Sequence, residues 1–484
     1  MRTFWRREFV CAAAAVVACL TVDAALAGQP PSATSKPNFM VILTDDLGYG
    51  DLSCYGSATI HTPRLDRMAA EGVRMTDFYV TAATCSPSRA SLVSGRYPLR
   101  AGVPSVLFAT ESKGLPLAEL TIADLLRPLG YATACVGKWH LGHLPPFRAH
   151  RRGFQEWFGL PYANDTFRWK FDEPFQHNIA PIDLPLMRGD EMIESPVNQE
   201  TLTERYTDEA TAFIRRNQDR PFFLYLAHTF PHTPLYVSAR FAGKSQGGLY
   251  GDTVECIDWS VGQILDTLQR LHLDERTLVM FTSDNGPAGP GWQFGPRGGG
   301  GSAGPLRGGK FTTFEGGHRV PGIFRWPGKI PAGRVLSEVA TTMDLLPTLV
   351  KLAGGQPPAD RVIDGKDIWP LLAGQPGAKS PYDAFYYYQS EQLQAVRAGR
   401  WKLFLPQDQY PEPTSIMYRL NPAWAKSRFP LRPKPVLYDL VGDIAEQHDV
   451  AAEHPDVVQR LLEQARRFDH DLQADKRPEQ ILAR

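Results

Sequence analysis

The chain has 484 residues, 43% hydrophobic and 21% charged, with Lys+Arg and Asp+Glu both totalling 52. This composition fits a globular chain with a large core and excludes disorder, collagen and coiled coil. Balanced charge without a basic block also excludes the electrostatic footprint of a nucleic-acid binder.

In chain order, Arg2, Arg6 and Arg7 precede an apolar stretch from Val10 to Val22, and Ala25-Leu26-Ala27 follows as a small-x-small cleavage site. The pattern predicts a removed export signal over residues 1–27. The stretch is short for a bilayer span, which takes about 20 residues, and no later segment reaches that length without charges. The mature chain is therefore expected to be exported, periplasmic or secreted, with no stable membrane insertion. Four cysteines outlast the signal: Cys54, Cys85, Cys135 and Cys256. They form no CxxC pair and no zinc spacing.

Phe39 to Leu43, Phe222 to Leu226 and Leu278 to Phe281 are nearly continuous apolar blocks. Such blocks suit strands buried on both faces of a mostly parallel sheet. Between them Pro63 to Ala70, Thr121 to Leu129, Leu202 to Ile214 and Thr253 to Leu271 carry apolar residues at helical spacing, with Thr121 and Thr253 as expected N-caps. The alternation predicts an α/β fold: a large mixed, mostly parallel sheet sandwiched by helices, with ligands beyond the carboxyl ends of the strands. Residues 287–310 are too rich in Gly and Pro for a regular element. After about residue 375 the pattern changes to short antiparallel strands, Phe385 to Tyr388, Gln394 to Ala398, Trp401 to Leu405 and Val436 to Leu440. A last helix carries Val457, Val458, Leu461, Leu462, Ala465 and Phe468 on one face. The expected division is a catalytic domain over 28–375 and a smaller C-terminal α+β domain over 376–484.

Two apolar strands end in adjacent oxygen ligands, Asp45-Asp46 and Asp284-Asn285. On one edge of a parallel sheet three carboxylates and an amide would converge, and their repulsion calls for a hard divalent cation. Oxygen-only ligation favours Ca²⁺, with Mg²⁺ as the alternative. Cys85 opens the string Cys85-Ser86-Pro87-Ser88-Arg89, where a helix start and Arg89 would favour its thiolate. Lys138 and His140, in Gly137-Lys138-Trp139-His140-Leu141-Gly142, stand two positions apart and on an extended segment would share one anion. Gly304-x4-Gly309-Lys310 superficially fits a P-loop, but Phe311 stands where a Ser or Thr hydroxyl is required.

The string from Cys85 to Pro98, with its Cys-x-Pro-x-Arg core, closely resembles the signature of the type I sulfatases. So do the Gly-Lys-Trp-His-Leu-Gly run and the segment Gly309-Lys310-Phe311-Thr312-Thr313-Phe314-Glu315-Gly316-Gly317. The resemblance extends from about Pro37 to Leu437-Tyr438-Asp439-Leu440 in the tail. It implies the alkaline phosphatase-like fold and hydrolysis of a sulfate monoester, from a sulfated small molecule or saccharide. It also implies that Cys85 is converted to formylglycine by a formylglycine-generating enzyme and works as an aldehyde hydrate in contact with the metal. Arg89, Lys138, His140, His232 and Lys310 would complete the catalytic set, with Asp45, Asp46, Asp284 and Asn285 holding Ca²⁺. His228 competes with His232 for the family's histidine. Two alternatives stay open at this stage: a phosphate or phosphonate ester hydrolase of the same fold, and a catalytically silent carbohydrate-binding relative. Tyr162 to Lys170 is expected to contribute to specificity, and the sequon Asn164-Asp165-Thr166 within it is discounted as a glycosylation site.

Overall fold

A computed structural model describes residues 36–166, 183–289, 297–409 and 430–482. The expected signal over 1–27 lies outside them, as do the end of the 162–170 loop and residues 290–296 of the glycine-rich stretch.

The main sheet contains eleven strands among the described residues. They are β1 (Asn38–Thr44), β2 (Val73–Tyr79), β4 (Ala132–Gly137), β5 (Glu156–Gly159), β6 (Leu186–Arg188), β7 (Glu191–Glu194), β8 (Phe222–Ala227), β9 (Thr277–Ser283), β10 (Arg319–Arg325), β11 (Arg334–Leu336) and β12 (Ala340–Thr341). β3 (Lys113–Gly114) pairs instead with β17 (Gln480–Ile481). The order is β11-β2-β10-β9-β1-β8-β4-β5-β6-β7, with β12 beside β2. β9, β1, β8, β4 and β5 run parallel. β10 is antiparallel to both of its neighbours, so the expected mixed, mostly parallel sheet is present.

Residues of β1 alternate between two cores, which is why its sequence is apolar throughout. Phe39, Val41 and Leu43 face a cluster with α2 (Cys85–Ser94), α3 (Ile122–Leu126) and α7 (Leu345–Leu352). Met40 and Ile42 face another with α1 (Pro63–Ala70), α4 (Leu202–Arg216) and α5 (Gly248–Arg270). Two short helices, α6 (Glu315–His318) and α8 (Trp369–Leu372), complete this part. Thr121 caps α3 through a reciprocal capping box with Asp124. Thr253 is no cap: α5 starts five residues earlier at Gly248, and the Thr253 hydroxyl donates back to the Tyr250 carbonyl inside the helix. A hydroxyl satisfied within its own turn leaves the helix free to extend.

In the tail β13 (Phe385–Gln389), β14 (Gln392–Ala398), β15 (Trp401–Phe404) and β16 (Val436–Asp439) form an antiparallel sheet. One face packs on α9 (Pro455–Ala474) through Leu461, Ala465 and Leu472. The other meets Tyr79 and Phe314 through Phe385, Tyr387, Phe404 and Tyr438. Cys54, Cys85, Cys135 and Cys256 are all free thiols, and no described helix is long and apolar enough to cross a membrane.

Candidate active site

Four parallel strands end at one level. Thr44 is in register with Ser283, Leu43 with Ala227, and Ala227 with Gly137. The residues that follow them therefore emerge side by side at the carboxyl edge of the sheet, where α/β folds place their ligands. Asp45 and Asp46 follow β1, Lys138 and His140 follow β4, His228 and His232 follow β8, and Asp284 and Asn285 follow β9. Gly137 has φ 104°, and a Cβ there would lie 1.9 Å from the Ala227 carbonyl oxygen. Only glycine fits this turn.

Asp46 adopts the left-handed conformation at φ 65°, which Asp tolerates better than most residues. Its amide donates to Asp284 Oδ1 at 3.2 Å, and Asn285 Nδ2 donates to Asp46 Oδ1 at 2.7 Å. Asn285 Oδ1 is buried without a donor. Cys85 is the first residue of α2, and its Sγ lies 3.4 Å from Asp45 Oδ1. Arg89, one turn on, is fully buried. It holds Asp284 Oδ2 through Nε at 2.9 Å and Nη2 at 2.8 Å, reaches Asp45 Oδ2 at 3.3 Å, and donates to the Lys138 carbonyl at 3.0 Å. The Lys138 ammonium pairs with Asp45, and Lys310 Nζ with Asp46 Oδ2 at 2.8 Å. The Lys310 loop is strapped down by Lys310 N to Pro287 O and Phe311 N to Ala83 O, both 2.8 Å.

The two histidines after β8 occupy different surroundings. His232 Nε2 lies 3.8 Å from Asp46 Oδ2. His228 points into the α5 side of the sheet, where its Nε2 meets Ser260 Oγ at 3.4 Å and Tyr206 packs on its ring. Both Nδ1 contacts of His232 are to acceptors, Asn164 Oδ1 at 2.9 Å and Thr233 O at 2.6 Å, so Nδ1 carries the proton. Asn164 was not foreseen as a site residue. Its sequon is inaccessible because the side chain is fully buried, donating to Gln199 Oε1 and Pro234 O. His140 does not continue a strand with Lys138: β4 stops at Gly137, and His140 takes φ 55°. It is oriented instead by the Leu107 carbonyl, 2.9 Å from Nε2, while Nδ1 is buried without a partner. The Leu107 amide in turn donates to the hydroxyl of Ser86, next to Cys85, at 3.1 Å. His143 lies apart, edge-on to Tyr162.

The electrostatics follow from burying so many charges together. Burial raises the Asp45 carboxyl, but Lys138, His232, Arg89 and Lys310 outweigh it and hold it well below the usual carboxylate range. Burial and the neighbouring Asp45 charge push Asp284 up to about 7. Burial lowers His140, helped by Lys138, and lowers His232, helped by Lys310, so both imidazoles are neutral at pH 7. Burial and Asp45 push the Cys85 thiol well above its ordinary value. This overturns the expectation of a favoured thiolate: the carboxylate beside the sulfur outweighs the helix start and Arg89.

Ligand atoms of Asp45, Asp46, Cys85 and His232 all lie within 4.8 Å of one another. Together with Asp284 and the orphaned Asn285 Oδ1, the set is dominated by hard oxygen donors and fits Ca²⁺ or Mg²⁺. The same cluster, ringed by Arg89, Lys138 and Lys310, can neutralise a tetrahedral oxyanion held against residue 85.

Comparison with known proteins agrees with this geometry. The Sulfatase family profile matches residues 37–355, and the C-terminal region of aryl-sulfatase matches 380–481. N-acetylgalactosamine-6-sulfatase of Canis lupus familiaris is 43% identical, over 83% of this chain and 75% of its own length. Steryl-sulfatase of Homo sapiens is 38% identical, over 77% and 76%. The crystal structure of Ps i-CgsB in complex with k-i-k-neocarrahexaose superposes with a TM-score of 0.73 at 28% identity, covering 92% of this chain and 94% of that one. The chain belongs to the sulfatase family and is a sulfatase.

Proposed function

We propose that this sulfatase cleaves sulfate monoesters of saccharides, using a formylglycine made from Cys85 beside a Ca²⁺ held by Asp45, Asp46, Asp284 and Asn285. The observation that carries the reading is the convergence of Asp45, Asp46, Cys85 and His232 within 4.8 Å under a ring of three cationic side chains. The saccharide is supported by the sugar named for the N-acetylgalactosamine-6-sulfatase and by the neocarrahexaose with which Ps i-CgsB forms a complex. When present, the aldehyde hydrate would supply the nucleophilic hydroxyl and a second hydroxyl for release of sulfate, and the cation held by Asp45, Asp46, Asp284 and Asn285 would supply Lewis acidity.

The chain's own side chains do the rest. Arg89, Lys138 and Lys310 balance charge on the sulfuryl oxygens. His140 is held by Leu107 O on Nε2, which leaves a neutral Nδ1 lone pair to take the proton of a residue-85 hydroxyl. His232 keeps its proton on Nδ1, so its Nε2 accepts and does not donate. Protonation of the departing alcohol therefore falls to Lys310 Nζ, whose ammonium form Asp46 favours against the effect of burial. A formylglycine-generating enzyme installs the aldehyde, the chain acts after export from the cytoplasm, and the boundary between its two domains lies near residue 375.

Two measurements test this. The mass of the peptide containing residue 85, from active protein, should be that of formylglycine. Turnover of 4-nitrophenyl sulfate should exceed that of 4-nitrophenyl phosphate. A fully active sample with an intact thiol, or a preference for phosphate, overturns the reading.

A further inference from the structure

Beside the active-site loop lies a charge imbalance that the chemistry above does not use. Where the small sheet meets the main one, Arg319 and Arg397 pair with Asp77 at 3.0 and 2.7 Å, and Lys402 pairs with Glu315 and Glu446, both at 2.9 Å. Three cations thus meet three carboxylates. Arg307 and Arg432 are left over. The Arg432 guanidinium lies 4.1 Å over Phe404 and 4.9 Å from the Phe314 ring centre, and Arg307 covers that same Phe314 ring at 4.1 Å. Arg432 is only 8% exposed. Among the described residues neither arginine has a carboxylate within 4 Å, and the hydrogen bonds of Arg432 are those of its backbone with Gln407. Arg307 reaches the Glu446 main-chain oxygen at 2.6 Å and the Tyr438 hydroxyl at 3.5 Å.

Ring stacking gives a guanidinium about 0.5–2 kcal/mol, whereas burying an ion without a counter-charge costs several kcal/mol. Arg307 is exposed and solvated, but stacking alone does not account for the buried Arg432 charge held beside it. Burial brings Arg432 down to about 10, with the Arg307 charge pushing the same way, and the opposing influence of Tyr438 and of the more distant Glu446 carboxylate does not offset them. An anion bridging both forks resolves the imbalance and suits the planar, multi-donor geometry of arginine.

We propose that Arg307 and Arg432, with the Tyr438 hydroxyl, form a second anion subsite that takes a sulfate or carboxylate group of an extended polyanionic saccharide. The proposal deepens the saccharide-sulfatase reading and rests on it for the identity of the ligand. Arg307 precedes Lys310 by three residues on one loop, so their Cα atoms are at most about 11 Å apart. The second subsite thus shares one short loop with the lysine that faces the sulfuryl group.

Calorimetric binding to the Cys85→Ala protein tests this without needing turnover. A disulfated disaccharide should bind at least tenfold more tightly than the same sugar with one sulfate. Arg432→Met, and separately Arg307→Gln, should abolish that difference. Ligand-free Arg432→Met should melt no lower than its parent, since it loses an uncompensated buried charge; a structural arginine would lower the melting temperature. An unchanged preference for the second sulfate in both variants overturns the proposal, as does inorganic sulfate binding at Arg307 and Arg432 with no gain from the saccharide. Failure of the unaltered protein to hydrolyse any sulfate ester would instead count against the functional reading, while the two-arginine dependence of binding could still hold.

Discussion

Asn164→Ala isolates the role of a residue that touches the active site only through His232. The substitution removes the 2.9 Å acceptor of His232 Nδ1–H and the donors to Gln199 Oε1 and Pro234 O at 3.0 and 3.1 Å, all buried. At about 1 kcal/mol net per bond, with two acceptors left unsatisfied, stability should fall by about 2–4 kcal/mol. The imidazole keeps its Thr233 acceptor at 2.6 Å, so the ring is loosened and not released. A loss of about 1–2 kcal/mol in the transition state corresponds to about a 5–30-fold drop in kcat/KM. Asn164→Asp separates the two effects: it still accepts from Nδ1 but cannot donate to Gln199 or Pro234, so it should lose stability like the alanine variant while keeping more of the rate. Initial rates with 4-nitrophenyl sulfate, at a temperature where all three proteins are folded by circular dichroism, are the assay. Equal kcat/KM for the alanine variant and the parent, beside the expected loss of stability, would show that Asn164 supports the fold and does not position His232.

Cys85→Ala should lower hydrolysis by about 10³-fold or more, because no other described group can replace a residue-85 nucleophile; retained turnover in a purified sample removes the assignment. Thorough chelation should abolish activity, and Ca²⁺ or Mg²⁺ should restore it, given the oxygen-rich ligand set; full activity with no ion detectable by mass spectrometry contradicts the metal reading. Lys402→Met leaves Glu446 without a cation in a buried site, while Glu315 keeps Arg319 at 3.5 Å, and should cost about 3–5 kcal/mol in urea unfolding. Burial, aided by Lys138, holds His140 well below its ordinary value, so the imidazole stays neutral as pH falls through 6.5. The rate should therefore show no loss with a midpoint near 6.5 that disappears in His140→Gln.

The parallel core was legible because apolar blocks buried on both faces leave little ambiguity, and β1, β8 and β9 appear where those blocks stand. The paired acids were legible for the same reason: each sits at the end of such a block, and the register Thr44 with Ser283 brings them together. The start of α5 was not, because Gly247 and Gly248 carry no capping side chain, while Thr253 imitates a cap from inside the helix. His228 and His232 share a similar local context, and only the direction of the chain beyond Ala227 tells them apart. Asn164 carried a signal, a discounted sequon in a loop expected to contribute to specificity, but its contact with His232 spans 68 residues and no local pattern encodes it.

The small C-terminal sheet is more than an appendage to the chemistry. Glu446, in the tail, accepts from the Glu315 amide at 2.7 Å, and its main-chain oxygen accepts from Arg307. These contacts hold residues 307 and 315, on either side of Lys310. Phe314, between them, packs on Phe404 of β15. A loop rich in glycine loses much conformational entropy on ordering, and here the ordering contacts come from a sheet remote in sequence. The position of Lys310 is thus set jointly by the Asp46 carboxylate on one side and by the C-terminal part of the chain on the other.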